Sequence, residues 1–246
     1  MLTVRKSEDR GYADHGWLKS YHSFSFANYY DPAFMGFRAL RVINQDTILG
    51  GGGFPTHPHQ DMEIVTYLLS GALAHQDSLG NGSVIATGDV QRMTAGTGIR
   101  HSEFNASATE TAQLLQIWLL PAVKGLNPSY EQKHFPHEDK LNRLRLVASR
   151  DGAEASVQIN QDAQIYSSLV QSGQSLDYVL NAGRYGWLQV VRGALEITSS
   201  NGEIQSLTEG DAVAVTALEN GTPQTITMTG QAAQGQTTEI LWFDLP

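Results

Sequence analysis

The sequence has no cysteine, only 17% charged residues and no long apolar run. Disulfides and thiolate nucleophiles are therefore excluded, and any metal site must use histidine and carboxylate ligands. The formal net charge of −9 disfavours direct nucleic-acid binding, because the phosphate backbone attracts basic surfaces. No stretch approaches the roughly 18 apolar residues of a membrane span, and the first residues lack the apolar segment of a secretion signal. We therefore expect a cytoplasmic protein that does not contact membranes.

Short apolar runs recur along the chain between glycine, asparagine and aspartate turn signals, and none continues with helical period for the length of an ordinary helix. Clear examples are Ala39–Ile43, Ile64–Leu69, Leu114–Leu120, Trp187–Val191, Ala212–Val215 and Ile240–Phe243. Runs of this length with regularly spaced turns are typical of β-sandwiches and barrels. The sequence therefore predicts an all-β protein.

A self-comparison indicates that a β domain is duplicated. Gly71-Ala72-Leu73 is followed by Gly88-Asp89, and Gly193-Ala194-Leu195 is followed after the same step by Gly210-Asp211. The segment between the two copies is richer in charge and proline, as a linker would be. The predicted divisions are an amino-terminal metal-binding domain over residues 1–126, a linker over 127–150 and a carboxy-terminal domain without a metal site over 151–246.

Two pairs of candidate metal ligands lie in the first copy. His57 and His59 are two residues apart, as are His101 and Glu103, so each pair points to one face of a strand. If the two strands line one barrel, three imidazoles and a carboxylate converge and leave positions open on a six-coordinate ion, as catalytic metals require. Histidine and carboxylate ligands favour one divalent ion of borderline or hard character.

The second copy lacks histidine, since all eight histidines lie between His15 and His137. With the two copies superposed by their glycines, the four candidate ligands correspond to residues that do not form a divalent-metal site. These residues are Val179, Asn181, Pro223 and Thr225.

Several segments resemble a known family. Two stretches resemble the two cupin motifs. The first motif corresponds to Gly51-x5-His57-x-His59-x3-Glu63-x7-Gly71, and the second corresponds to Gly88-x12-His101-x3-Asn105. More narrowly, four segments resemble the pirin family of bicupins. In chain order they are DHGWLKSYHSFSFANYYD, GFRALRVIN, THPHQDMEIVTYLLSG and TAGTGIRHSEFN. The resemblance implies two tandem antiparallel β-barrel (jelly-roll) domains, metal only in the first, and the position of Glu103 as the carboxylate ligand.

The roles of the remaining candidates are open to two interpretations. In many cupins the glutamate at the position of Glu63 is a metal ligand. Here we predict instead that Glu63 forms a hydrogen bond to one of the ligand side chains. Phe54, Met93, Gln116 and Trp118 are candidates for a pocket or for ordinary core. The other histidines are predicted to be satisfied core residues, namely His15, His22, His75, His134 and His137.

The resemblance also implies an activity. Pirin-like proteins are associated with quercetin 2,3-dioxygenase activity, so the expected substrates are a small flavonol-like aromatic molecule and O2, with Glu103 as catalytic base. For this activity we expect Fe(II) as the metal ion, with Ni, Mn, Co, Cu and Zn as alternatives. The alternative is a non-enzymatic, iron-dependent regulator that acts through a protein partner. A cupin isomerase or hydrolase is a third class, and it differs from a dioxygenase in consuming no oxygen.

Overall fold

Antiparallel β-strands make up most of the computed structural model, which describes residues 1–216, 218 and 221–246. The all-β prediction is confirmed. Within the described residues the one α-helix is a single turn, α1 (His137–Lys140), and two 3-10 turns span Ser7–Asp9 and Ala153–Ala155. In the described part of the chain, no helix is both long enough and apolar enough to cross a membrane.

The strands are as follows in chain order: β1 (Leu2–Arg5), β2 (Gly11–Asp14), β3 (Leu18–His22), β4 (Leu40–Ile48), β5 (Gly53–His59), β6 (Glu63–Ser70), β7 (Ala72–Asp77), β8 (Gly82–Ala86), β9 (Asp89–Thr94), β10 (Ile99–Asn105), β11 (Ala112–Leu119), β12 (Ser129–His134), β13 (Arg145–Ser149), β14 (Val157–Gln158), β15 (Gln164–Gln171), β16 (Ser175–Leu180), β17 (Tyr185–Arg192), β18 (Ala194–Ser199), β19 (Ile204–Thr208), β20 (Ala212–Val215), β21 (Gln224–Gly230) and β22 (Thr237–Leu245).

The chain forms two domains whose bounds differ from those predicted. The amino-terminal domain comprises Arg10–Phe135 and Arg150–Gln161. The carboxy-terminal domain comprises Met1–Asp9, Pro136–Ser149 and Asp162–Pro246. The segment predicted as a linker is therefore divided between the two domains.

Both domains are built on the same strand order. In the amino-terminal domain the larger sheet runs β12-β9-β6-β11-β4-β3-β2 and the smaller runs β5-β10-β7-β8. In the carboxy-terminal domain the corresponding orders are β1-β20-β17-β22-β15-β13 and β16-β21-β18-β19. This correspondence agrees with the duplication that the glycine pattern predicts.

The outer strand beside β9 and β20 explains why the domain bounds differ from the prediction. In the amino-terminal domain β12, which lies within the predicted linker, pairs with β9. In the carboxy-terminal domain the corresponding place beside β20 is taken by β1, the first strand of the chain. Each sheet thereby continues past β9 or β20 by one strand, which covers backbone groups that an edge would leave unpaired.

The repeated turns have the same conformation in both copies. Gly71 and Gly193 join β6 to β7 and β17 to β18 with φ of 77° and 85°, a region that side chains disfavour. At the turn that leads into β9, Asp89 accepts a hydrogen bond from the Ala86 backbone N–H, and at the turn that leads into β20, Asp211 accepts one from the Thr208 N–H. The residues that mark the repeat are thus those that the turn geometry requires.

The interiors of the two domains differ in chemistry. In the carboxy-terminal domain a large apolar cluster lies against the smaller sheet, which contributes Leu176, Leu180, Leu195, Ile197, Leu207, Ile226 and Met228. In the amino-terminal domain smaller apolar clusters lie around Leu68 and Leu73 and around Ile64 and Met93. Polar side chains occupy much of the remaining interior, as described below.

Candidate metal centre and its cavity

Strands β5 and β10 bring three of the predicted ligands together. His57 lies directly opposite His101 in the β5–β10 ladder, and His59 lies opposite Ile99. The ring centroids are 4.5 Å apart for His57 and His101, 4.8 Å for His57 and His59, and 4.9 Å for His59 and His101. One ring nitrogen from each histidine lies within 4.8 Å of the others, which is close enough for a shared cation.

The hydrogen bonding of the imidazoles also suits a divalent cation, independently of their spacing. His101 is only 2% exposed, and neither of its ring nitrogens has a hydrogen-bond partner among the described residues. The His57 Nδ1 lies 2.8 Å from the Pro55 carbonyl oxygen, so an N–H at this nitrogen donates there and Nε2 keeps its lone pair. A buried imidazole without partners is costly, and a metal ion would satisfy it.

The same surroundings favour the neutral, metal-binding form of His59 and His101. Burial, followed by the neighbouring histidines, lowers the pKa of His101 to about 2. Burial and His57 lower the pKa of His59 to about 4. Neutral imidazole is the form that offers a lone pair to a metal ion.

Glu103 lies beside this group, two residues after His101 on β10. Its carboxylate accepts a hydrogen bond from Gln116 Nε2 at 3.0 Å, and Thr66 Oγ1 lies 3.5 Å from its other oxygen. Burial, with a smaller effect of the Asp46 carboxylate, raises the pKa of Glu103 to about 7. A carboxyl group with this pKa can accept or release a proton near neutral pH.

Gly53 allows the close approach of β5 to β10 at this point. A Cβ on Gly53 would lie 2.5 Å from the Glu103 carbonyl oxygen and from the Phe104 Cα. The β5–β10 register also shifts between His101 and Glu103. The glycine thus contributes to the placement of both ligand strands.

His75, predicted as an ordinary core residue, belongs to the same polar cluster. It lies opposite Glu103 in the β7–β10 ladder, and its ring centroid is 5.2 Å from that of His101. His75, His101 and Glu103 form a second group of potential ligand atoms within 4.8 Å of one another. Alternation along β7 could have predicted that His75 lies on an inner face. The pairing of β7 with β10, which brings His75 to Glu103, could not have been predicted from the sequence.

Glu63 does not take the place predicted for it behind the ligands. Its carboxylate accepts hydrogen bonds from Thr94 Oγ1 and the Asn160 backbone N–H, both at 3.0 Å. Asp61, with φ of 49°, lies between β5 and β6, so the alternation that begins at His57 does not continue to Glu63. Thr66, three residues further along β6, points instead to Glu103, and Glu63 is therefore on the opposite face of β6.

A cavity of about 650 Å³ opens beside the histidines. Of the residues proposed for a pocket, Phe54, Gln116 and Trp118 line it. Met93 does not, because it is fully buried in the apolar cluster with Ile64 and Ile99.

The remaining histidines also depart from the prediction of satisfied core residues, and His22 does so although it is buried, because its Nδ1 has no hydrogen-bond partner among the described residues. His15 and His22 line the cavity, and only His22 is buried. His134 and His137 are exposed, with His134 Nδ1 2.8 Å from Asp89 Oδ1.

Aromatic side chains form much of the cavity wall. Phe26 meets Trp118 edge to face with ring centroids 5.4 Å apart, and Trp17 meets Phe54 in the same way at 5.1 Å. Trp118 also contacts His59 at a centroid distance of 5.0 Å. The cavity therefore offers flat apolar surfaces next to the candidate metal ligands, which suits a planar aromatic molecule.

Comparisons with known proteins agree with this architecture. Residues 3–119 match the family described as Pirin, and residues 146–245 match the Quercetinase C-terminal cupin domain. The chain is 46% identical over 247 residues to quercetin 2,3-dioxygenase of Escherichia coli (strain K12), covering 100% of this chain and 99% of the relative. It is 43% identical over 228 residues to a pirin-like protein of Caulobacter vibrioides, covering 89% of this chain and 96% of the relative. The crystal structure of the bacterial pirin YhhW from Escherichia coli in complex with nickel(II) is similar with a TM-score of 0.88 and 43% identity, covering 100% of this chain and 99% of that one.

Proposed function

This chain belongs to the pirin family, and from that premise we propose that it is a metal-dependent dioxygenase that opens the ring of a flavonol with O2. The observation that carries the proposal is the group of three imidazoles at an aromatic cavity, with the buried carboxyl group of Glu103 beside it. The names of its relatives support quercetin as the first substrate to test.

His57, His59 and His101, with Glu103, are the residues that would hold one divalent ion. The nickel complex of YhhW supports a divalent ion, and Fe(II) stays our prediction for this chain. When bound, the ion supplies Lewis acidity toward a substrate oxygen and, if it is redox-active, electron exchange with O2. Zinc fits the same ligands but lacks the redox chemistry.

Glu103 is the residue that moves a proton in this proposal. Its carboxylate takes the proton of the flavonol hydroxyl, which leaves an electron-rich enolate for reaction with O2. The side-chain N–H of Gln116 orients the carboxylate through the 3.0 Å hydrogen bond. Trp118 and Phe54 hold the flat ring system and exclude water from it. Overall, one flavonol and one O2 give one carbon monoxide and one depside, the ester that keeps the remaining atoms of the opened ring system.

Oxygen uptake with quercetin tests the proposal. The protein is loaded separately with Fe(II) and Ni(II), metal content is measured, and uptake is followed beside a His59→Ala control. We expect one O2 consumed and one carbon monoxide released per quercetin in the wild type, and neither in the control. No uptake with metal confirmed bound would overturn the proposal and favour the iron-dependent regulator with a protein partner. That partner, like cytoplasmic location, stays a prediction from the sequence.

A further inference from the structure

A row of polar side chains crosses the larger sheet of the amino-terminal domain. His22 on β3, Asn44 on β4 and Gln116 on β11 lie directly opposite one another, and Thr66 on β6 continues the row. Directly opposed residues of an antiparallel sheet point to the same face. Since Gln116 and Thr66 contact Glu103, this face is the one turned toward the candidate metal centre.

The half of the row nearest Glu103 is already engaged. Gln116 donates to Glu103 and accepts a hydrogen bond from Thr66 Oγ1 at 3.1 Å. Their polar groups therefore serve to orient the carboxylate.

The other half of the row has polar atoms without partners. Asn44 Oδ1 and His22 Nδ1 have no hydrogen bond with any described residue, and neither has Asp46 Oδ1, which shares the Asn44 face of β4 two residues further on. Asn44 and Asp46 are each only 3% exposed, yet both line the cavity. Buried acceptors of this kind normally have a donor, and a hydroxyl group of a molecule in the cavity would supply one.

The spacing of the strands places these acceptors at a defined distance from the reacting end of a ligand. Asn44 lies one strand beyond Gln116, about 4.8 Å, and His22 lies two strands beyond it. A planar ligand held by the aromatic wall beside Glu103 would therefore carry its further polar groups toward β4. Asn44 Oδ1 accepts a hydrogen bond, and the Asp46 carboxyl group can pair with a hydroxyl in either protonation state, so hydroxyls are the groups that suit both residues.

We propose that Asn44 and Asp46 form a subsite that binds the hydroxyl groups on the part of an aromatic substrate that lies away from the metal ligands. The inference rests on the proposed function in taking a flavonol as the occupant of the cavity. The subsite would select polyhydroxylated flavonols over flavonols that carry only the reacting hydroxyl. Discrimination of this kind is strong, because an analogue without the hydroxyls leaves buried acceptors unpaired.

Anaerobic titration calorimetry of the nickel-loaded protein tests the subsite without turnover. Two probes are compared: quercetin, and 3-hydroxyflavone, which lacks the additional hydroxyls. We expect the wild type to bind quercetin at least about tenfold more tightly. Asn44→Leu and Asp46→Leu, which keep the side-chain size, should each weaken quercetin binding about tenfold, and 3-hydroxyflavone binding should change less than about twofold.

The matched control is Thr47→Val, on the same strand but outside the row. Its affinity for both probes should equal that of the wild type. Nickel content and thermal unfolding verify that each variant is folded and loaded. If a variant does not fold, the wild-type comparison of the two probes still decides, because equal affinity for both overturns the subsite.

Two outcomes separate this inference from the proposed function. In the first, the wild type turns over quercetin, but both variants still bind quercetin more tightly than 3-hydroxyflavone. This result would overturn the subsite and leave the proposed dioxygenase activity standing. Variant-sensitive quercetin binding without oxygen uptake would support the subsite and overturn the dioxygenase. Absence of binding by both probes overturns the subsite.

Discussion

Substitution of Glu63 by glutamine tests whether this residue stabilises the fold and does not bind the metal. Glu63 is fully buried, and its contacts are with Thr94 on β9 and with Asn160 in the segment Arg150–Gln161. Its hydrogen bonds therefore attach this segment to the rest of the amino-terminal domain. We expect Glu63→Gln to lower the free energy of unfolding and to leave the metal content unchanged.

The size of the effect follows from the groups around the carboxylate. The Thr94 hydroxyl and the Asn160 N–H both donate to one oxygen at 3.0 Å, and the Asn160 side-chain amide lies 3.3 Å from each oxygen. Glutamine keeps one oxygen and presents an amide N–H2 to these donors. A hydrogen bond to a charged acceptor contributes about 1.5–3 kcal/mol. Burial raises the pKa of Glu63, so the charge itself is costly and offsets part of this gain. We expect a net loss of about 1–3 kcal/mol.

Urea unfolding of the metal-free protein at pH 8 measures the stability change, and mass spectrometry of the nickel-loaded protein measures metal content. Glu110→Gln is the stability control, because Glu110 is exposed. His59→Ala is the control for metal loss. A folded Glu63→Gln variant that loses its nickel would show that Glu63 is a ligand. Stability equal to that of Glu110→Gln would refute the structural role.

The remaining predictions concern the ligand strands and the acids near them. His101→Ala should abolish stoichiometric nickel binding in a protein that still folds, and one nickel per chain in this variant would contradict the ligand assignment. Gly53→Ala places a Cβ 2.5 Å from the Glu103 carbonyl oxygen, so nickel affinity measured by calorimetry should fall at least about tenfold, whereas an unchanged affinity would show that β5 can shift without cost. Burial raises the pKa of Asp46 from 3.8 to about 7, so the folded metal-free protein binds this proton more tightly than the unfolded chain, and the contribution of Asp46 to stability is lost as the pH rises through that interval. The buried histidines, whose pKa values are lowered, change stability in the opposite direction, so Asp46→Asn is compared with the wild type by urea unfolding at each pH from 4 to 8. The stability of the variant relative to the wild type should rise with pH, and a constant difference would count against the pKa shift.

The sequence by itself determined features that depend on local geometry. Alternation along a strand puts His57 with His59, and His101 with Glu103, on one face whatever the neighbouring strands are. The turns at Gly71 and Gly193 require a positive φ, which is why glycine marks the duplication so clearly. The all-β class followed from the short apolar runs.

Tertiary structure alone decided which strands are neighbours and in what register. The sequence carries no sign that β7 lies beside β10 and brings His75 to Glu103, or that β1 completes the carboxy-terminal sheet. Alternation failed at Glu63 because the turn at Asp61 resets the face between two strands of different sheets. The acceptors Asn44 and Asp46 became visible as a subsite only through the strand register, since long-range pairing is fixed by the packing of the whole domain and not by local preference.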